Sequence, residues 1–152
     1  MADGLTADGT PVFGTRLAGC RYKVRPSAYA LLRDGDGRIA IVRAARGWFL
    51  PGGGIEAGET AEQAVERETI EECGLVIQPR AIVGHATEIV HSPAGNVGVD
   101  KVSVFFDAVV TGVAAAAEPG HELVWLNDAD AITRLSHKSH RWAVARLATP
   151  AP

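Results

Sequence analysis

A chain of 152 residues with a formal charge of −3, 47% hydrophobic and 22% charged residues, has the size and balance of one soluble globular domain with a buried core. The slight acidity argues against a DNA- or RNA-duplex-binding surface but says nothing against a small phosphorylated ligand. No apolar run is long enough to span a bilayer, the N-terminus lacks the pattern of a signal peptide, and Cys20 and Cys73 have no metal spacing, so the expectation is a reduced, cytoplasmic protein.

Residues 1–20 contain much Gly, Asp, Thr and Ala and read as a loose or lightly docked segment ahead of a single domain over 21–150. Arg21, Lys23 and Arg25 then alternate, which sends them to one side of a strand, toward phosphates or toward solvent. Pro26 suits a strand entry, and "DGDG" between the apolar runs 27–33 and 38–44 predicts a hairpin. Trp48 and Phe49 adjoin a glycine-rich loop on opposite sides of the chain, with Trp48 assigned to stack on a substrate ring and core packing expected for one of the two.

From Thr60 the pattern becomes helical: Thr60 and Gln63 have capping-box spacing, and the next Gly or Pro is Gly74, placed to stop the helix. Two β-branched runs follow, 81–90 and 101–112, around a loop "HSPAGNVGVD". A short strand at 121–127 and one or two helices over 128–148 complete a mixed α/β sandwich. The five histidines show no metal pattern and none is assigned to a site.

The helix carries the strongest signal. Glu68, Glu71 and Glu72 fall within an arc of roughly 100°. Like charges at these spacings repel, and anions oppose the helix dipole near a C-terminus. The acidic arc also continues the apolar stripe of Ala61, Ala64 and Val65, whereas a solvated face would lie opposite it. Clustered carboxylates that accept both penalties point to a hard divalent cation such as Mg²⁺ or Mn²⁺ over a decorative acidic surface. The preceding loop "PGGGIEAGET" could set Glu56 and Glu59 near it, though alone it reads as an ordinary strand-to-helix connection.

Loop and helix together, Gly53, five residues, Glu59, seven residues, then Arg67-Glu68-Thr69-Ile70-Glu71-Glu72-Cys73-Gly74-Leu75, resemble the Nudix box GX5EX7REUXEEXGU over 53–75. Thr69 departs from the bulky aliphatic residue usual at its position; its hydroxyl can bond back to the preceding turn. The resemblance implies a Nudix-type α/β/α sandwich with a mixed sheet, in which the box forms loop-helix-loop. It also implies metal-dependent hydrolysis of a nucleoside diphosphate linked to another moiety. By that likeness Glu68 and Glu72 are the chief metal ligands, Glu71 a further ligand or a base, and a carbonyl at Gly52 or Gly53 completes the site. Arg67 orients a carboxylate with Glu59 as partner, and Glu118 is the alternative base on a later loop. Specificity is then expected from the loop Ser92 to Asp100 and the region near Glu118. A catalytically silent nucleotide-sensing domain is the competing reading, and a homodimer is implied by likeness alone.

Overall fold

The computed structural model describes residues 1–115 and 117–148. The chain runs β1 (Gly4–Leu5), β2 (Pro11–Phe13), β3 (Arg21–Leu31), β4 (Ile39–Ala44), β5 (Gly47–Phe49), β6 (Gly52–Gly54), α1 (Ala61–Cys73), β7 (Leu75–His91), β8 (Val97–Val113), β9 (Glu122–Leu126), α2 (Asp128–Arg134) and α3 (Lys138–Ala148). Six strands form a mixed sheet in the order β1-β2-β7-β8-β3-β6, and β5-β4-β9 form a second, smaller one. β3 runs parallel to β8, and β7 antiparallel to it.

The layers follow from strands that are apolar on both faces. Along β3, Tyr29 and Leu31 enter one core while Ala28 and Ala30 enter the other, and β8 repeats this with Phe105 against Val104 and Phe106. A strand buried on both sides reads as a continuous apolar run. Ala64 and Val65 of α1 cover one face, and Ala131 of α2 with Ala143 and Val144 of α3 cover the other. Each large buried side chain contributes about 1.5–3 kcal/mol. The result is the α/β/α sandwich.

Helix α1 is bounded as its sequence requires. Thr60 Oγ1 accepts the Gln63 N–H, Gln63 accepts the Thr60 N–H, and Gly74 closes the helix at φ 67°. Thr69 is fully buried and its hydroxyl donates to the Val65 carbonyl at 2.7 Å, so the polar atom is satisfied inside the helix.

Four local expectations change. The segment 1–20 is docked: β2 joins β7, and Phe13, 2% exposed, sits in the core. One aromatic ring offsets the weak composition around it. The "DGDG" turn forms, with Gly37 N–H on the Asp34 carbonyl at 3.0 Å and an antiparallel bridge between Arg33 and Ile39. Beyond that bridge, however, its strands part into different sheets, because β6 and β8 occupy the two edges of β3. Pro26 lies within β3, where its carbonyl accepts from Ile55 just beyond the short β6, so the missing N–H faces a sheet edge. The loop expected over 91–100 shrinks to a tight turn, because Val97 and Val99 already pair with β3. Among the described residues no helix is long and apolar enough to cross a membrane.

Candidate active site

The C-terminal half of α1, the glycine-rich strand β6 and one face of β3 enclose a cleft of about 320 Å³. Its lining includes the carboxylates of Glu68, Glu72 and Glu118 and the cations of Arg25, Arg46 and Lys101. Tyr29, Phe49, His121 and His137 line it as well.

β6 reaches the helix because it is all glycine. Gly52 has φ 143°, and a Cβ there would lie 2.1 Å from the Ala28 carbonyl oxygen. A Cβ on Gly53 would lie 2.9 Å from the Glu68 carboxyl, so bare backbone touches the acid. The Gly52 N–H donates to Glu72 Oε1 at 2.9 Å. Even so, burial, reinforced by the charges of Glu68 and Glu71, pushes the Glu72 carboxyl up to about 8. Burial also raises Glu68, despite the Arg67 Nη1 bond at 3.0 Å. Two neighbouring carboxyls held above their ordinary range mark a place where added positive charge is favourable.

Arg67 organises the loop, as expected. Its Nε and Nη2 donate to the two oxygens of Glu59 at 2.7 and 2.9 Å, and Nη2 also reaches the Gly54 carbonyl at 3.2 Å. Such forked charge-assisted bonds are strong and directional. Glu59 in turn accepts the Glu56 N–H at 2.9 Å, so the loop is closed on itself.

Glu71 sits at the edge of this group, sharing Arg67 Nη1 with Glu68. Its side chain is 38% exposed, lies 3.4 Å from Arg67 Nη1 and does not line the cleft. Among the described residues no three His, Cys, Asp or Glu side chains gather into one metal cluster. Glu68 and Glu72 line the cleft together with Glu118, and Glu71 adjoins them through Arg67. The Glu118 N–H donates to the Glu71 carbonyl at 2.8 Å, which ties the start of that loop to the helix end.

Of the two substrate residues expected, Arg25 lines the cleft and Trp48 does not. Trp48 lies between Arg43 and Arg134, 5.6 and 5.1 Å from its ring, while Phe49, one residue on, faces inward. Strand alternation separated them as anticipated, with the roles reversed. The segment Ser92 to Asp100 contributes nothing to the cleft; only Lys101, the next residue, does. Lys101, Arg46, Tyr29, His121 and His137 were missed. The alternation Arg25, Ser27, Tyr29 already marks one face of β3, and the register Arg25↔Lys101 adds the lysine. The parallel pairing behind that register leaves no local trace in the sequence.

A cleft lined by carboxylates, cations and bare glycine backbone suits a phosphorylated ligand together with a divalent cation. The family model for the NUDIX domain matches residues 23–147. Over 54 residues the chain is 46% identical to an RNA pyrophosphohydrolase of Teredinibacter turnerae, a match covering 34% of this chain and 32% of that one. It is 34% identical over 82 residues to an ADP-ribose pyrophosphatase of Methanocaldococcus jannaschii, covering 51% of this chain and 46% of that one. The chain thus matches less than half the length of these curated relatives. A NUDIX hydrolase structure from Nitrosomonas europaea shares the fold, with a TM-score of 0.68 at 18% identity over 83% of this chain and 89% of that one. With the family model spanning nearly the whole described domain and the box forming its loop and helix around the cleft, the chain belongs to the NUDIX family.

Proposed function

We propose that the protein is a cytoplasmic pyrophosphohydrolase that cleaves the diphosphate bond of a nucleoside diphosphate linked to another moiety. The observation that carries this reading is that Glu68 and Glu72 line one cleft together with Arg25, Arg46 and Lys101. The donor set fits Mg²⁺ or Mn²⁺: hard carboxylate oxygens of Glu68 and Glu72 beside the bare backbone of Gly53. Glu71, on the same helical turn, is the further carboxylate available to that set. When bound, such a cation supplies charge neutralisation at phosphate oxygens and polarises water toward attack.

The chain's own residues do the rest. Arg25, Arg46 and Lys101, which line the same cleft, hold the phosphate oxygens. Phe49 and Tyr29 give the attached moiety an aromatic surface. Arg67 fixes Glu59 and the Gly54 carbonyl, and so holds the glycine backbone against Glu68. A box glutamate accepts the proton of the attacking water; Glu118 is the other carboxylate that lines the cleft. RNA pyrophosphohydrolase and ADP-ribose pyrophosphatase are the names of relatives, and they define the first substrates to try.

The test is incubation of the purified protein with Mg²⁺ and a panel of 5′-triphosphorylated RNA, nucleoside triphosphates and ADP-ribose, with measurement of released phosphate, pyrophosphate or monophosphate. Turnover of at least one member that stops on chelation is the expected result. Tight binding of a panel member without turnover would instead support a nucleotide sensor.

A further inference from the structure

We propose that His137 is a substrate-contacting residue, aimed by the partly buried Glu88, whose Nε2–H donates to an anionic oxygen of the substrate in the cleft. The inference deepens the pyrophosphohydrolase reading and rests on it.

His137 lines the cleft, and its Nδ1 lies 3.2 Å from Glu88 Oε2. A carboxylate only accepts, so the shared proton sits on Nδ1. The nitrogen left for an occupant of the cleft is Nε2. It is a donor in the doubly protonated ring and only a lone pair in the singly protonated one, so the contact to an anionic oxygen is made by the imidazolium. Glu88 itself, 12% exposed, also accepts the N–H groups of Ser139 at 2.7 Å and Lys138 at 3.3 Å. Burial pushes this carboxyl up, but the bonds from His137 and Ser139 outweigh it and hold it below the ordinary range. It is therefore a fixed anion under the start of α3.

The segment carrying His137 is also held from its other side. The Ser136 N–H donates to the Trp48 carbonyl at 2.9 Å, and the Trp48 N–H donates to Ser136 Oγ at 3.0 Å. A Cβ on Gly47 would lie 2.3 Å from that oxygen, so the contact needs glycine there. The imidazole packs against both Phe49 and His140, with ring centroids 5.2 and 5.0 Å away. A side chain fixed by two neighbouring strands and two rings loses little freedom when it meets a ligand.

Capping α3 does not by itself account for Glu88. A short Ser, Thr, Asn or Asp at the helix start does that job. A partly buried carboxylate reaching across from β7 is a more costly route. Its third contact, to the ring at the cleft, is the one that capping leaves unused.

The test uses the full chain with Mg²⁺ and two readouts: calorimetric affinity for imidodiphosphate, and kcat and KM for whichever panel substrate the wild type hydrolyses. Expected for His137→Ala is about tenfold weaker imidodiphosphate binding and a matching rise in KM, with kcat within about threefold. His137→Gln, which keeps a hydrogen-bonding group, recovers part of the loss and serves if the alanine variant does not fold. Glu88→Gln weakens binding by about threefold, and the double variant is no weaker than His137→Ala alone, because the glutamate acts through the histidine. Affinity and KM within about twofold of wild type in both His137 variants would overturn the proposal, as would effects that multiply in the double variant. A protein that binds imidodiphosphate in a His137-dependent way but hydrolyses nothing sinks the hydrolase reading alone. Hydrolysis that is indifferent to His137 sinks this one alone.

Discussion

Arg67 grips Glu59 through two parallel bonds, 2.7 Å from Nε and 2.9 Å from Nη2, joining the middle of the acidic helix to the loop that precedes it. The Arg67 bonds, followed by the Glu56 N–H, hold the Glu59 carboxyl at about 2, against an ordinary value of 4.5. A carboxyl depressed on folding adds stability that is fully present above its unfolded value and is lost as pH falls toward its folded one. Glu59→Gln is therefore expected to lower Tm at pH 7 and to lose most of that deficit by about pH 2.5. Thermal melts at the two pH values check it; an equal deficit at both would assign the effect to something other than this ion pair.

Glu72 has the opposite sign. Its folded value of about 8 lies above the ordinary 4.5, so the unfolded chain sheds its proton first and metal-free stability falls as pH rises between those values. In chelator-treated protein at pH 8, Glu72→Gln is expected to raise stability by about 1–3 kcal/mol, several degrees in Tm, and to change little at pH 4. Chemical denaturation at both pH values measures it.

Adjacent glycines separate folding from function. A methyl on Gly52 meets the Ala28 carbonyl and the Tyr29 backbone at a positive φ, so Gly52→Ala is expected to lower stability by about 2–4 kcal/mol. A methyl on Gly53 meets only the end of the Glu68 side chain, which can swing aside. Gly53→Ala should keep stability within about 1 kcal/mol yet cut kcat by about tenfold or more, because the displaced carboxylate is a proposed ligand. Paired melts and rates test the contrast.

Phe49 and Trp48 make a similar pair. Phe49→Leu is expected to raise KM by about threefold or more, since its ring lines the cleft. Trp48→Leu, which strips a ring from between Arg43 and Arg134, is expected to cost about 1–2 kcal/mol in stability and leave KM within about twofold. Steady-state kinetics on both variants decides.

Periodicity and local chemistry made much of this protein legible in advance. Thr60, Gln63 and Gly74 bound α1 by interactions within a few residues, and such signals survive without tertiary knowledge. Thr69 could be read as satisfying its own hydroxyl for the same reason. The Arg67–Glu59 fork followed from spacing in a recognised motif. What stayed hidden depends on long-range pairing. Lys101 reaches the cleft only because β8 runs parallel beside β3, and His137 only because Glu88 and Trp48 hold its segment. Glu71 stays off the cleft lining although Glu68 shares the same guanidinium, a difference that counting glutamates on a helical wheel does not reveal.

The most direct test of the account is the rate of Mg²⁺-dependent hydrolysis in Glu72→Gln, measured beside wild type on the best panel substrate with both proteins confirmed folded. A loss of about a hundredfold or more is predicted, as removal of a metal-ligating carboxylate requires. Turnover within about threefold of wild type would contradict the assignment of the cleft.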